Sequence, residues 1–129
     1  MESNNMNPIG WFELYVEDMD RAAAFYEQVL GLKTAPLPTP EGHELEMRAF
    51  PGEMQYPGAS GALVKMKDMK GGSGGTILYF VTEDCAVPEA KVAAAGGKVC
   101  QPKMPIGEYG FCSIVTDSEG NTIGFHSMK

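Results

Sequence analysis

One carboxylate and two imidazoles are the side chains in this sequence whose type and position could support proton transfer or ligand recognition. Glu13 interrupts the apolar run 11–16, and a buried carboxylate is costly unless it is paired or hydrogen-bonded. His126 could act as a base, a relay or a ligand, and His43 lies in a more polar stretch. We therefore take Glu13 and His126 as candidate catalytic residues. Purely structural roles remain open for both: a backbone or hydroxyl partner for Glu13, and a satisfied surface or core position for His126.

The three cysteines point to reduced thiols rather than to a metal site or a disulfide framework. Cys85, Cys100 and Cys112 are an odd number and are too widely separated for a paired zinc-binding spacing. Cys85 lies at a predicted helix start, where a thiolate could be stabilised, so an inert and a reactive interpretation both stay open.

The charge balance argues against nucleic acid as a partner. Ten Lys and Arg residues stand against 17 Asp and Glu, and the net charge of −7 repels a phosphate backbone. The N-terminal residues lack a basic and apolar leader pattern, and no stretch approaches the roughly 20 apolar residues of a membrane span. We expect a cytoplasmic protein that does not bind membranes.

The elements that must position these residues occur twice along the chain. A strand at 11–16 is followed by a helix start at Glu17 and Asp18 and a stop at Gly31. The helix between them is predicted from five apolar residues at helical spacing: Ala22, Phe25, Tyr26, Val29 and Leu30.

The second copy has the same order, with a strand at 76–81, a helix at 87–95 and a stop at Gly96. Val16 and Val81, Gly31 and Gly96, and Lys33 and Lys98 are each 65 residues apart. Three more strands follow each helix, near 33–36, 43–50 and 59–67 and near 98–103, 110–116 and 122–128.

These patterns predict an α+β fold with two tandem βαβββ modules in one domain, residues 1–129. The first module covers about 8–67, the second about 76–128, and the glycine-rich segment 70–75 is a linker. One helix per four strands can cover only one face of each sheet, so we expect the curved mixed sheets to enclose a cup.

The arrangement resembles the vicinal-oxygen-chelate superfamily, which includes glyoxalase I, extradiol dioxygenases and bleomycin-binding proteins. The resemblance spans the chain and rests on short segments in order at module spacing: Val16–Met19, Ala24–Tyr26, Leu30–Leu32, Ala94–Gly97 and Asp117–Asn121. These segments are specific for the fold but give little information about the chemistry.

Metal-using members carry four ligands, one on the first and one on the last strand of each module. The resemblance places Trp11, Gly61 or Leu63, Thr76 and Gly124 at these positions, and none of these residues is a strong metal ligand. We therefore expect no cofactor and no metal. A rearranged site that uses Glu13, His126 and His43 is the alternative.

Strand alternation then distributes the remaining candidates between the two faces of each sheet. Phe12, Leu14 and Val16 are expected under the helix, and Gly124 and His126 in the cup. The predicted ligand-binding residues in the cup are Trp11, Tyr15, Thr76, Leu78, Phe80 and Thr122. The loop 51–58, with Met54, Gln55 and Tyr56, could cover its mouth.

The resemblance implies a metal-independent protein that binds a small organic molecule. If it is an enzyme, it is an isomerase or a lyase related to lactoylglutathione lyase, with Glu13 as base or anchor and His126 assisting. The alternatives are a binding or sequestering protein of the resistance type, and a metal-dependent lyase or dioxygenase. We also expect a homodimer, because a partner chain can cover apolar strand faces and two-fold pairs are the commonest assembly. The cup could form within one chain or across the dimer.

Overall fold

The computed structural model describes residues 7–39, 42, 44–53, 55–72 and 74–129. His43, Met54 of the predicted covering loop, and Ser73 of the predicted linker lie outside the described residues. The first five elements are β1 (Ile9–Tyr15), α1 (Met19–Leu30), β2 (Ala35–Leu37), β3 (Leu45–Ala49) and β4 (Ser60–Met66). The next five are β5 (Thr76–Val81), α2 (Ala86–Glu89), β6 (Lys98–Pro105), β7 (Phe111–Thr116) and β8 (Thr122–Ser127). The repeated βαβββ order and the α+β class are confirmed.

The chain divides into two compact units. The first unit is Trp11–Thr76, and the second is Ile77–Lys129 with the N-terminal residues up to Gly10. Within the first unit the strand order is β2-β3-β4-β1, and within the second it is β5-β8-β7-β6. β1 pairs with β4, and β5 with β8, in parallel, whereas the other pairs in each unit are antiparallel, so both sheets are mixed.

Helix α1 begins and ends at the predicted signals. The Asp18 carboxylate accepts a hydrogen bond of 3.0 Å from the Arg21 N–H, which satisfies a free donor of the first turn. Gly31 ends the helix in the left-handed conformation with φ 66°, a region that glycine enters without a Cβ penalty. Met19 and Ala23 bury the inner face of α1 against Leu63 of β4, which forms the core of the first unit.

A polar cluster fixes the segment that follows α1. The Glu27 carboxylate accepts both the backbone N–H and the hydroxyl of Thr34, at 2.9 and 2.6 Å. Arg48 of β3 donates to the Thr34 hydroxyl and carbonyl at 2.9 and 2.8 Å. The Thr34 hydroxyl bond, followed by the Thr34 backbone bond, holds the pKa of Glu27 below its usual value.

The second helix is shorter than predicted. Regular α-helix covers only Ala86–Glu89, and hydrogen-bonded turns continue to Gly96. Bonds from Lys91 N–H to Pro88 and from Val92 N–H to Glu89 span three residues, a tighter geometry than the α-helix has. Gly96, with φ 100°, ends the segment, and the Gly97 N–H bonds back to the Val92 carbonyl. The predicted stop is therefore correct although most of the predicted helix is not regular.

Contacts with β6 hold the start of α2. The Glu89 carboxylate accepts the Lys103 backbone N–H at 2.7 Å, and the Lys103 ammonium donates to Asp84 at 2.8 Å. The bond from Lys103 holds the pKa of Asp84 below its usual range. Neither helix, over the residues described, is long and apolar enough to span a membrane.

Candidate functional site

Three side chains on β1 form a hydrogen-bonded strip on the face of the sheet that α1 leaves uncovered. Leu14 packs with the core beneath α1, and Phe12 lies 5.6 Å from the ring of Phe50, which also joins that core. Trp11, Glu13 and Tyr15 alternate with these residues and so lie on the opposite face, as predicted. We call them the β1 strip.

Glu13 is held by both of its aromatic neighbours. The Trp11 indole Nε1–H donates to Oε2 at 3.1 Å, and the Tyr15 hydroxyl donates to Oε1 at 2.7 Å. Trp11 and Glu13 are partly exposed, and Tyr15 is 9% exposed. Two donors on opposite oxygens fix the orientation of the carboxylate, which therefore has the partner that its apolar strand required.

Apolar side chains surround the β1 strip on the same face. Glu13 is opposite Ala62 and Tyr15 is opposite Val64 in the parallel ladder, and both β4 residues are buried. Ala49 and Met47 of β3 extend this face, because they pair with Ala62 and Val64. The arrangement places one oriented carboxylate among aromatic and aliphatic side chains, which is typical of a small-molecule site.

The register corrects one part of the predicted ligand pattern. Gly61 and Leu63 were expected on the uncovered face, but they are opposite Phe12 and Leu14 and therefore lie on the face that α1 covers. The residues of β4 that share the face of the β1 strip are Ser60, Ala62 and Val64.

The two repeats differ by one residue between the first strand and the helix stop, and this difference corrects the predicted faces of β5. In the first repeat Tyr15 is opposite Val64, and the Val16 N–H bonds to the Val64 carbonyl. In the second repeat the same arrangement is made by Val81 opposite His126, with the Thr82 N–H bonded to the His126 carbonyl. Tyr15 therefore corresponds to Val81, 66 residues later, although the two helix stops are 65 apart. A shift of one residue moves every side chain of a strand to the other face.

Thr76, Leu78 and Phe80 therefore do not share a face with Thr122, Gly124 and His126, contrary to prediction. Phe80 is opposite Phe125, and Ser127 shares that face two residues on. The Ser127 hydroxyl accepts the N–H of Cys85 at the start of α2, so this face is the one on the α2 side. The side chains that correspond to the β1 strip are Ile77, Tyr79 and Val81.

Tyr79 is a residue of the second unit that sequence reasoning missed. It is 8% exposed and is opposite Gly124, where a Cβ atom would collide with its ring. Every residue of β5 from Ile77 to Val81 is apolar or aromatic, so alternation of polarity could not show which face is which. The side chains of Thr76, Leu78 and Thr122 are exposed.

His126 is bound to a loop of its own unit. Its Nε2 lies 2.6 Å from the carbonyl oxygen of Tyr109, at the end of a short 3-10 turn, Gly107–Tyr109. A carbonyl only accepts hydrogen bonds, so Nε2 is the donor in this contact. The predicted pairing of His126 with Glu13 remains a prediction, because the two residues belong to different units.

None of the three cysteines, all of which the structure describes, is in a disulfide bond, as expected for reduced thiols. Cys85 is fully buried, with its Sγ 3.0 Å from the Ser127 hydroxyl, and Cys112 is also buried. A buried thiol in such contacts favours the inert interpretation of Cys85.

The metal-ligand positions can now be reassigned by register. On the uncovered faces they become Trp11 and Ala62 in the first unit and Ile77 and Gly124 in the second. Their side chains offer no oxygen, sulfur or imidazole donor, so the residues present do not fit the metal of the fold family. Across the described ranges no group of three or more His, Cys, Asp or Glu side chains could hold an ion.

Two shallow depressions of the first unit lie away from the β1 strip. One of about 440 Å³ is beside the end of α1, at Glu27, Gln28 and Lys33. The other, of about 280 Å³, is beside its start, at Asp18, Asp20 and Lys65. Both are open surface hollows, and neither contains a residue predicted for the site.

Comparisons with known proteins agree with the fold but do not identify a ligand of this chain. Residues 9–42 match the family described as bleomycin resistance protein-like N-terminal. A candidate glyoxylase, CFP32, of Mycobacterium bovis and of Mycobacterium tuberculosis is 28% identical over 117 residues, 91% of this chain. The chain spans 42% of the length of these curated relatives.

Solved structures of methylmalonyl-CoA epimerases have the same fold. The Streptomyces coelicolor enzyme is 16% identical, with a TM-score of 0.68 over 95% of this chain and 97% of that chain. The Mycobacterium tuberculosis enzyme is 12% identical, with a TM-score of 0.66 over 96% of this chain and 89% of that chain. At these identities the likeness establishes the fold alone.

Proposed function

We propose that this chain, a member of the vicinal-oxygen-chelate superfamily, binds a small organic molecule on the β1 strip without a metal ion. The observation that carries the proposal is the pair of hydrogen bonds that orient Glu13 between Trp11 and Tyr15. An oriented carboxylate beside a partly exposed indole ring can fix a ligand by a polar contact while the Trp11 ring packs against its apolar part.

Ligand binding can be followed through Trp11, because the chain contains a single tryptophan. The purified protein is incubated with a low-molecular-weight cell extract and dialysed. Native mass spectrometry then detects a bound molecule, and the change in tryptophan emission shows that it lies beside the indole. We expect a stoichiometric adduct that alters this emission.

Two variants, each of which removes one negative charge, test whether the ligand binds at the β1 strip. Glu13→Gln should weaken retention of the adduct by about tenfold or more, since a hydrogen bond to a charged group contributes roughly 1.5–3 kcal/mol. Glu46→Gln is the matched control. Glu46 is exposed, and it lies opposite Lys65 in the β3–β4 ladder, on the face of the sheet that α1 covers. An adduct that leaves the Trp11 emission unchanged, or no adduct at all, would contradict the proposal.

A second candidate function is that of an isomerase or lyase that moves a proton. The hydrogen bond that orients the His126 ring favours it. The Tyr109 carbonyl accepts from Nε2, so Nδ1 is the ring nitrogen that a ligand could use, and Glu13 is a second candidate base. The epimerases that share the fold give the reaction type a precedent. The test is proton NMR of the identified ligand in deuterium oxide. Loss of one carbon-bound proton signal that disappears when Glu13 or His126 is changed indicates turnover, whereas an unchanged ligand indicates a sequestering protein.

The assembly and the location belong to the same proposal. We propose a two-fold homodimer, which light scattering would detect as a mass of about twice 13.9 kDa at micromolar concentration. A monomer under these conditions would contradict it. We also propose a cytoplasmic location, which cell fractionation tests.

A further inference from the structure

The glycine-rich segment that joins the two repeats is packed against β1, although its composition is that of a flexible linker. The Tyr15 N–H donates to the Gly75 carbonyl at 2.7 Å. A Cβ atom on Gly71 would lie 2.6 Å from the Tyr15 carbonyl oxygen, so Gly71 touches the same residue of β1. We call Gly71, Gly72, Gly74 and Gly75 the glycine strap. The strap therefore holds the end of β1 that carries Tyr15.

The strap and β4 restrain β1 from its two edges. The Val16 N–H donates to the Val64 carbonyl at 2.9 Å, whereas the Tyr15 N–H bonds to Gly75. Successive N–H groups of an extended chain point to opposite edges, so these two bonds restrain neighbouring residues from opposite sides. All of these residues belong to the first unit. The backbone position of Tyr15, and with it the origin of the side chain, is thus fixed within that unit.

The strap is a tight turn that has little freedom to move away from Tyr15. The Gly75 N–H donates to the Gly72 carbonyl at 2.9 Å, and a Cβ atom on Gly75 would lie 2.7 Å from the Lys70 carbonyl oxygen. Gly72 and Gly74 have φ of 80° and 85°, a region that glycine enters without a steric penalty. Close backbone packing, rather than flexibility, explains the glycines.

The β1 strip tolerates little displacement of Tyr15. Its hydroxyl donates to Oε1 of Glu13 at 2.7 Å, and bonds of this type are about 2.5–3.0 Å long. A carbon atom approaches a carbonyl oxygen to about 3.3 Å, so a Cβ atom at Gly71 requires a movement of about 0.7 Å. Whether the strap or Tyr15 moves, the two separate and the restraint on the Tyr15 ring is lost.

We infer that Gly71 is a positioning residue of the β1 strip, which acts through Tyr15 to keep the Glu13 carboxylate in its orientation. Gly75 supports it as the acceptor of the Tyr15 N–H. The inference rests on the proposed function, since it concerns the carboxylate that the proposal assigns to the ligand. It gives the segment between the repeats a role in the site, where its composition predicts only a linker.

The indole N–H signal of Trp11 tests the inference without a ligand. The chain contains a single tryptophan, so this signal is unambiguous in a nitrogen–proton NMR spectrum, and the N–H donates to Oε2 of Glu13. Gly71→Ala should shift the signal in the same direction as Tyr15→Phe, because both changes release Oε1. In the Gly71→Ala background, Tyr15→Phe should cause little further shift, since the two changes remove the same contact.

Gly97→Ala is the matched control. A Cβ atom there would also collide with a carbonyl oxygen, that of Thr116, and neither Gly71 nor Gly97 has a positive φ. This collision lies in the second unit, so Gly97→Ala should destabilise the fold and leave the Trp11 signal unchanged. An unmoved signal in Gly71→Ala, an equal shift in Gly97→Ala, or additive shifts of Gly71→Ala and Tyr15→Phe would overturn the inference.

Hydrogen exchange of the wild-type protein decides the matter if Gly71→Ala does not fold. The Tyr15 amide should exchange within about tenfold of the rate of the Val16 amide, because both are bonded in the folded chain. A Tyr15 amide that exchanges as fast as in an unfolded chain would show that the strap does not hold β1, and would overturn the inference.

The outcomes also separate this inference from the proposed function. If Gly71→Ala shifts the Trp11 signal but no molecule from the extract binds, the positioning role stands and the binding function fails. If an extract molecule binds, and Gly71→Ala changes neither the Trp11 signal nor the retention of that molecule, the positioning role fails and the binding function stands.

Discussion

At the scale of single residues, Glu13 shows how a charged side chain is accommodated in an apolar strand. Its carboxylate oxygens accept from Trp11 and Tyr15, two positions away on either side, so the partners come from its own strand face. Period-two alternation could predict that these three side chains share a face. It could not predict the hydrogen bonds, because they depend on rotamers that turn both aromatic donors toward the carboxylate.

The first prediction concerns the coupling between Tyr15 and Glu13. Tyr15→Phe removes one donor to an ionised acceptor and should lower the free energy of unfolding by about 1–3 kcal/mol. Much of that loss should disappear when Tyr15→Phe is made in a Glu13→Gln background, giving a coupling energy of about 1 kcal/mol in a double-mutant cycle. Chemical denaturation of the four proteins measures it. Additive effects of the two substitutions would mean that the bond does not contribute to stability.

At the scale of elements, the strand faces decide which residues can form a site. Leu63 is fully buried beneath α1 and Leu78 is 41% exposed, although sequence reasoning placed both on the uncovered face. Leu63→Ala should therefore lower the free energy of unfolding by about 2–5 kcal/mol because it leaves a cavity in the core. Leu78→Ala, the matched control, should cost less than about 1 kcal/mol. Equal costs in thermal or chemical denaturation would contradict the register described for β4.

The same residues show which parts of the fold the sequence could predict. Asp18, Gly31 and Gly96 mark helix ends by local rules, because capping and a left-handed conformation depend on residues nearby in the chain, and those predictions are confirmed. The register of β5 depends on partners in β8, and an apolar strand carries no local signal of its inward face. The extent of α2 is overestimated from the sequence, because after Glu89 the chain continues in tighter turns, which the helical preference of the alanines does not predict.

The cluster behind α1 gives a second prediction at this scale, on acid stability. The Thr34 hydroxyl and backbone N–H stabilise the ionised form of Glu27 and lower its pKa from 4.5. A carboxyl group whose pKa is lower in the folded state stabilises the fold above its unfolded pKa, and this contribution is lost as the pH falls through the folded value. The difference in unfolding free energy between the wild type and Glu27→Gln should therefore be largest near neutral pH and shrink below about pH 4.

Urea denaturation at a series of pH values measures this dependence. Glu17→Gln is the control, because it removes a carboxylate beside the start of α1 without touching Thr34. A difference for Glu27→Gln that stays constant down to pH 3 would contradict the assigned role of the Thr34 hydrogen bonds.

At the scale of the whole molecule, the question is whether a chain with this fold still uses a metal. In both units the positions that the fold family uses for ligands now carry apolar or aromatic side chains: Trp11, Ala62, Ile77 and Gly124. Divalent ions need nitrogen, oxygen or sulfur donors in a set of at least three from the protein. We predict that the dialysed protein contains less than about 0.1 equivalent of zinc, iron, nickel or manganese per chain, since a weakly held ion is lost on dialysis.

Elemental analysis by plasma mass spectrometry measures the metal content, and a comparison of wild type with Glu13→Gln and His126→Ala shows which residues matter. Ligand binding detected through Trp11 should be unchanged by a chelator, because the β1 strip binds through a carboxylate and aromatic rings. One equivalent of metal that survives dialysis and disappears in either variant would overturn the prediction. It would instead indicate a metal site that uses the residue whose substitution removes the ion. If that residue is Glu13, the hydrogen bonds from Trp11 and Tyr15 would orient a metal-binding carboxylate.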